Sequence, residues 1–396
     1  MEVEMRRILF VLIIVFVVFE LSAISEFAGV FTLINTSARG VAFGNGSGTA
    51  DIWDISPLGI WSNPAKLGYH KGLAYGYSDT PWFEELFPDI YIKSYYLSIG
   101  WKGIGVMLPA PSDHKKWGTM MNYGEQTITD TLENEIGTFE SWDADTKYAI
   151  GINMIEFTSN FFQRDFLRKI NNFGEISLGY SYDDLYSKLS PIGTGTYEVD
   201  EYGAAESSFS SYGIIGRISP LNETNALGGF CTLAIIGGIN YINPSKDKIK
   251  YKNENRADYL PWGTHSAIAG KIAVTKQLIP DIQIPVFGDL FKNLFSFYYS
   301  YDDAQYGKDS ADNPGYWGKG YEFTLLDIYS VRKGHYNDTA GQVKGDTSGW
   351  GINLNYKDIL QFQYNYAEFP GGELQYKQDM EDYAFKVDFF KLFGKK

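Results

Sequence analysis

Apolar and polar residues alternate along segment after segment of this chain, and the polar column is too wet to lie in a protein core. In Gly174–Asp183, Ile176, Leu178, Tyr180 and Tyr182 share one face, while Glu175, Ser177, Gly179, Ser181 and Asp183 take the other. In Trp350–Lys357 the faces are Trp350, Ile352, Leu354, Tyr356 and Gly351, Asn353, Asn355, Lys357. Leu360, Phe362, Tyr364 and Tyr366 alternate with Gln361, Gln363, Asn365 and Ala367, and the period recurs in Tyr95–Lys102, Lys147–Ile155, Cys231–Tyr241 and Tyr383–Phe389. A two-residue period marks β-strands with unlike faces. A soluble sandwich would leave either the rings in water or the serines and lysines in the core. Rings turned outward to lipid, with polar residues lining a lumen, satisfy both faces at once.

Composition agrees with many strands joined by turns. The 396 residues include 30 Tyr, 27 Phe, 9 Trp and 42 Gly, and ring side chains suit a pleated surface. A net charge of −14 argues against nucleic acid as a partner, because phosphates need a basic footprint. Cys231 is the only cysteine, so no intrachain disulfide forms and no cysteine-rich metal site exists. Residues 1–25 read as a cleaved signal peptide: Arg6 and Arg7, an apolar run from Ile8 to Phe19, then Ala23-Ile24-Ser25. That run is too short for a spanning helix, which needs about 20 residues.

Strands are expected near 72–79, 93–101, 103–109, 146–156, 173–183, 207–218, 228–241, 264–275, 294–302, 319–327, 347–356, 359–369 and 382–393. Lys102-Gly103 and Lys357-Asp358 read as two-residue turns, whereas 110–145, 184–206, 242–263 and 303–318 read as long acidic, aromatic loops. Short periplasmic turns and long outer loops are usual in outer-membrane barrels. Both tight turns fall on one side only if a further strand starts at Ile328-Tyr329-Ser330-Val331. The expectation is an all-β, antiparallel transmembrane β-barrel of about 14 strands with residues 26–70 as an N-terminal lumenal hatch and 71–396 as the barrel.

Within 37–68, Ala38, Arg39, Ala42 and Gly44 are followed by a spacer and then Asn63, Pro64, Ala65 and Leu67, just ahead of the first strand at Gly72–Tyr77. This resembles the start of the long-chain fatty-acid outer-membrane transporter (FadL-like) family and its relatives, the type 9 secretion-associated (PorV-like) barrels. The resemblance implies a 14-stranded barrel whose N-terminal segment folds inside. Two tryptophans in the spacer, Trp53 and Trp61, and the Gly59-Ile-Trp-Ser lead-in depart from that pattern, so the fold is implied more strongly than a fatty-acid cargo. Arg39, Gly44, Gly46, Asn63, Pro64 and Ala65 are the hatch or gate candidates. Gly44, Gly46 and Gly48 permit positive-φ turns in a crowded lumen, Asn63-Pro64 should end a helix and set a turn, and Arg39 has Glu175 and Asp183 as candidate lumenal partners.

Catalytic and metal motifs are weak. Gly44-x-Gly46-x-Gly48 lacks the strand-loop-helix frame and following lysine of a phosphate loop. No Gly-x-Ser-x-Gly elbow occurs, and His70, His114, His265 and His335 read as scattered loop residues. Asp143-x-Asp145, and Asp302-Asp303 with Asp309, Asp312 and Asn313, could hold calcium but read as solvated turns. Residues Pro280–Leu294 suit an interfacial helix or a connector. No enzyme activity, cofactor or metal is expected. The leading expectation is an outer-membrane barrel of a diderm bacterium, set in outer-membrane lipid and passively transporting small hydrophobic molecules by rearrangement around Asn63-Pro64. A non-transporting accessory that binds or anchors secreted proteins through 110–145, with Trp117 and Trp142, is the alternative. A secreted soluble β-protein that binds glycans is a third.

Overall fold

The computed structural model describes residues 28–45, 50–81, 89–112, 116–129, 135–162, 172–188, 204–222, 229–250, 257–278, 291–307, 315–338, 343–371 and 377–393. The expected leader at 1–25, Gly46, Gly48, His114, the Pro280–Leu290 part of the expected interfacial helix or connector, and Asp309, Asp312 and Asn313 lie outside them.

The first strands are β1 (Gly72–Pro81), β2 (Ile90–Trp101), β3 (Ile104–Pro109), β4 (Thr119–Thr129), β5 (Glu135–Asn153), β6 (Gly174–Lys188), β7 (Ala204–Leu221) and β8 (Cys231–Ile242). A small hairpin, β9 (Lys248–Lys250) and β10 (Ala257–Tyr259), stands apart from the main sheet. Then come β11 (Gly263–Thr275), β12 (Asn293–Tyr306), β13 (Gly315–Leu325), β14 (Tyr329–Asp338), β15 (Val343–Tyr356), β16 (Leu360–Pro370) and β17 (Lys377–Val387). Every neighbouring pair is antiparallel, and β1 pairs with both β2 and β17, so the sheet closes on itself. Closure leaves no edge with unpaired backbone groups, the condition for strands to cross lipid.

Fifteen strands form the sheet, but β3 and β4 occupy one position between β2 and β5. The barrel therefore has 14 strand positions. Tyr95 bridges the break: its N–H donates to Gly118 O at 3.0 Å and its carbonyl accepts from Ala110 N at 2.9 Å. The wall thus stays hydrogen-bonded across the break between Ala110 and Gly118. The expected loop over 110–145 is corrected accordingly: most of it is β4 and β5, whose 19 residues make the longest strand. The misreading came from acidic residues that face the lumen here and from aromatic residues that pack on the outer face of the wall. Trp142 is 4% exposed and stacks on Tyr186, and Asp143 and Asp145 are buried.

The strand faces are sorted as a lipid-facing barrel requires. Ile176, Tyr180, Leu354 and Phe362 point outward and are exposed, while Ser177, Ser181, Asp183 and Asn365 are buried in the lumen. Trp350 faces outward as well, half-buried against Tyr364 and Tyr366. No helix among the described residues is long and apolar enough to cross a membrane.

Lys102-Gly103, Leu326-Asp327 and Lys357-Asp358 all hold positive φ in the short turns, as turns matched to strand twist require. The expected strand at 382–393 stops at Val387. Asp388 N makes the last ladder bond, to Ile359 O, and the Asp388 side chain then accepts from Lys391 N at 3.0 Å and starts the helix Phe389–Phe393. Beyond Leu360 the partner strand has turned away, so no ladder remains for those residues to join.

Candidate functional site

Residues 28–45 and 50–71 lie in the lumen, largely as short helical turns, and they are fastened to the wall in two places of different character. The first is built on backbone proximity. Asn63 ends the turn Pro57–Ser62 and begins the turn Pro64–Tyr69, with its side chain accepting from Ala65 N at 3.0 Å. Asn and Pro are suited to these positions because Pro64 needs no N–H at the first helical residue. The Asn63 amide also donates to Ile214 O at 3.4 Å and Ile239 O at 3.3 Å on the wall.

Beneath this turn lies a row of lumen-facing glycines that are register partners across five adjacent strand positions. Gly100 pairs with Gly105, Gly105 with Gly151, Gly151 with Gly179, and Gly179 with Gly213. A Cβ at Gly179 would sit 2.1 Å from Ala65 N and 2.3 Å from Pro64 C; one at Gly213 would sit 2.0 Å from Asn63 Oδ1. Glycine in a strand often marks such a close backbone approach. Ser177 Oγ donates to Ala65 O at 2.6 Å, and Ser98 Oγ lies 3.1 Å from His70 Nδ1. Leu58, Ile60 and Leu67 pack with Tyr96, Met107 and Ala149 beside the row. We call this the seat.

The second attachment is ionic. Ser37 caps the helix Ala38–Ala42, and Asp382 of β17 accepts from Ala38 N at 2.8 Å and from Ser37 Oγ at 3.3 Å. Asn365 holds the other Asp382 oxygen at 2.6 Å. Arg39 grips Glu322 of β13 bidentately, at 3.1 and 3.2 Å, and is paired with Asp51 as well. Glu322 is shared with its cross-strand partner Arg332. Arg39, Glu322 and Arg332 are all buried. Burial alone would discourage the Arg39 charge, but Glu322 and Asp54 more than offset it, so its proton is held tightly. Phe43 and Gly44 then lie against Gly320 and Gly334. Gly44 has φ +71, and a Cβ there would fall 2.5 Å from His335 O. We call this the latch.

The structure thus places Arg39 and Gly44 together at the latch, and Asn63, Pro64 and Ala65 together at the seat. Arg39 does not meet Glu175 or Asp183. Those acids bind Arg217 and Lys147, cations on their own or an adjacent strand, and Arg39 sits across the lumen at β13. His265 is also corrected: it is fully buried in β11, with Nε2 2.5 Å from Tyr316 Oη and 3.3 Å from Asp302. Asp302, read as a turn residue, belongs to β12 and is buried. No cluster of three or more metal-ligating side chains occurs among the described residues.

Glu322, Arg332, Asp51, Asp382 and the glycine row escaped the sequence reading. The glycines left a trace, since Gly179 already stood in the polar column of its strand, but their shared register needs the strand pairing.

Between seat and latch, Asp51, Asp54, Ser56, Lys66 and His70, with Ile52 and Ile60, line a cleft too narrow to hold a water molecule. Burial brings the Lys66 ammonium down to about 8, against the pull of nearby carboxylates, while its Nζ donates to Gly59 O at 2.6 Å. At the loop end of the lumen, Phe31, Ile92, Met121, Leu185, Phe209 and Leu260 form an apolar cluster with Ile249 of the β9–β10 hairpin.

No protein-family model and no curated protein matches the chain. Among solved structures, the chain is similar to the CymD monoaromatic hydrocarbon channel, with 10% identity over 90% of this chain and 98% of that one and a TM-score of 0.38. It is similar to a Pseudomonas aeruginosa FadL homologue at 9% identity, covering 89% and 98%, with a TM-score of 0.37. It is also similar to the Ralstonia pickettii toluene transporter TbuX at 13% identity, covering 90% and 99%, with a TM-score of 0.36. Fold and site rest on the chain's own strand pairing and contacts.

Proposed function

We propose that this chain is exported through its leader to the outer membrane of a diderm bacterium, where it is a hatched channel passing small hydrophobic molecules without catalysing a reaction on them. The observation that carries this reading is the apolar cluster at the loop end of the lumen. Three of its parts, Phe31 of the N-terminal segment, Ile249 of the hairpin and Leu260 just beyond it, are not wall residues. An apolar molecule entering from that end would replace their contacts with the fixed side chains of β2, β4, β6 and β7, so affinity comes from buried apolar area. Onward passage requires the segment to leave the lumen. The latch is the part that releases, and the Asn63-Pro64-Ala65 seat is the pivot. The hydrocarbon channels among the similar structures fit such a cargo class.

Uptake of a hydrophobic fluorophore into liposomes tests this reading. Uptake should exceed that of protein-free liposomes and rise further when residues 26–68 are deleted; equal uptake in all three would refute it. The accessory reading depended on 110–145 as a loop and on Trp142 at its surface. Most of the described part of that span is wall, and Trp142, on the outer face, is packed against Tyr186 and only 4% exposed.

A further inference from the structure

Two short helices at the turn end of the barrel are built inside out for a protein in water. Helix Met154–Phe162 turns its polar residues toward the barrel: Ser159 is buried, Asn153 accepts from Glu156 N, and Glu156 pairs with Lys71. Its apolar residues point away, with Phe161 49% and Phe162 65% exposed. Helix Phe389–Phe393 repeats the arrangement. Lys391 is tied back to Asp358 at 3.1 Å, while Phe390 is 46% and Phe393 76% exposed. A helix at a water-facing surface shows the opposite sorting.

Trp101, at the last position of β2, joins the two helices. Its ring stacks on Phe390 at 5.4 Å and meets Phe161 edge-on at 6.4 Å, with Lys102 Nζ 4.4 Å above it. This aromatic surface continues the outward columns of the belt: Ile99 leads to Trp101 on β2, Ile150 to Met154 on β5, and Phe385 to the C-terminal helix on β17. It therefore lies against the same surroundings as the belt, one level further out, at the seam where β1 meets β17.

We infer that these helices, Trp101 and Lys102 form a foot embedded in the headgroup layer of the leaflet at the turn side, with phospholipid as its partner. Apolar side chains sink into the upper acyl region while Lys102 reaches phosphate, the arrangement by which amphipathic helices bind an interface. The inference rests on the barrel's residence in a membrane, and its test separates the two.

In a Cys231→Ser background reconstituted in phospholipid vesicles, nitroxides are placed at Phe162→Cys, Phe390→Cys, Ile176→Cys in the belt and Lys344→Cys at the loop end. Collision with oxygen should exceed collision with a water-soluble nickel chelate several-fold at 162, 390 and 176, with the order reversed at 344. Heat-modifiable migration verifies that each labelled protein is folded. If 176 is lipid-like while 162, 390 or both behave as 344 does, the foot is refuted. If 176 is itself water-like, the membrane reading fails and takes the foot with it.

Discussion

The seat and the latch hold the same segment to the same wall by opposite means. At the seat, five strand positions give up side chains so that backbone meets backbone, and the contact has little charge in it. At the latch, Arg39, Glu322 and Arg332 bring formal charges into a buried place and satisfy them with one another. Close packing is lost only by moving whole chain segments apart. A buried ion pair is different: its attraction roughly balances the desolvation of its members, yet removal of one member is severe. The comparison teaches that a segment can be fixed at one end and conditionally held at the other without any difference in burial.

The largest effect is expected from Glu322→Ala, which takes the carboxylate away from Arg332 and leaves Arg39 beside it to rely on Asp51. A loss of about 3–5 kcal/mol from the latch is predicted, read as protease access to the N-terminal segment while the barrel keeps its heat-modifiable migration. Arg39→Ala should do less, since Glu322 keeps Arg332. If the two variants are alike, the shared carboxylate is not the centre of the latch. Next, Gly179→Ala should cost about 3 kcal/mol, because the atoms its Cβ would meet are backbone atoms of Pro64 and Ala65 that cannot swing aside. A lowered unfolding midpoint would register it; an unchanged midpoint would mean that the seat is loose.

Lys66 gives a pH test near the seat. Its folded pKa, about 8, lies below the unfolded value of 10.5, so above pH 8 the unfolded chain binds more protons. Stability should therefore rise between pH 8 and 10.5, by up to about 3 kcal/mol. That part of the rise should be absent from Lys66→Met. The smallest effect belongs outside both attachments. Burial would raise the Asp358 carboxyl, but hydrogen bonds from Lys292, Asn355 and Lys391 hold it below the ordinary carboxylate range. Its contribution is whole above about pH 4 and fades as pH falls through the folded value. Because the group is partly solvated, Asp358→Asn should change the midpoint at neutral pH by less than about 1 kcal/mol. A change as large as that of Glu322→Ala would erase the distinction between buried and rim charges.

The barrel was legible because period-two alternation is local and each strand states it independently. Lys102-Gly103 and Lys357-Asp358 turned where expected, and Tyr329 does begin the additional strand. What remained hidden depends on register. Gly151 and Gly179 are 28 positions apart in the chain, yet adjacent on the wall, and no local pattern couples them. Arg39 lies among lumenal acids, and by chemistry Glu175 and Asp183 are as plausible partners for it as Glu322. Only the path of the segment across the lumen decides among them. The loop at 110–145 failed for a related reason, since lumen-facing acids such as Asp143 and Asp145 look like turn residues until a closed wall makes their face an interior one.

The most direct test of pivot against gate is a pair of tethers. In the Cys231→Ser background, one variant joins Ser37→Cys to Asp382→Cys at the latch, and the other joins Ala65→Cys to Ser177→Cys at the seat. Fluorophore uptake into liposomes is then compared with each disulfide formed and reduced. Closing the latch tether should stop uptake and reduction should restore it, while the seat tether should make no difference in either state. Arrest by the seat tether with free passage through the latched protein would contradict the account.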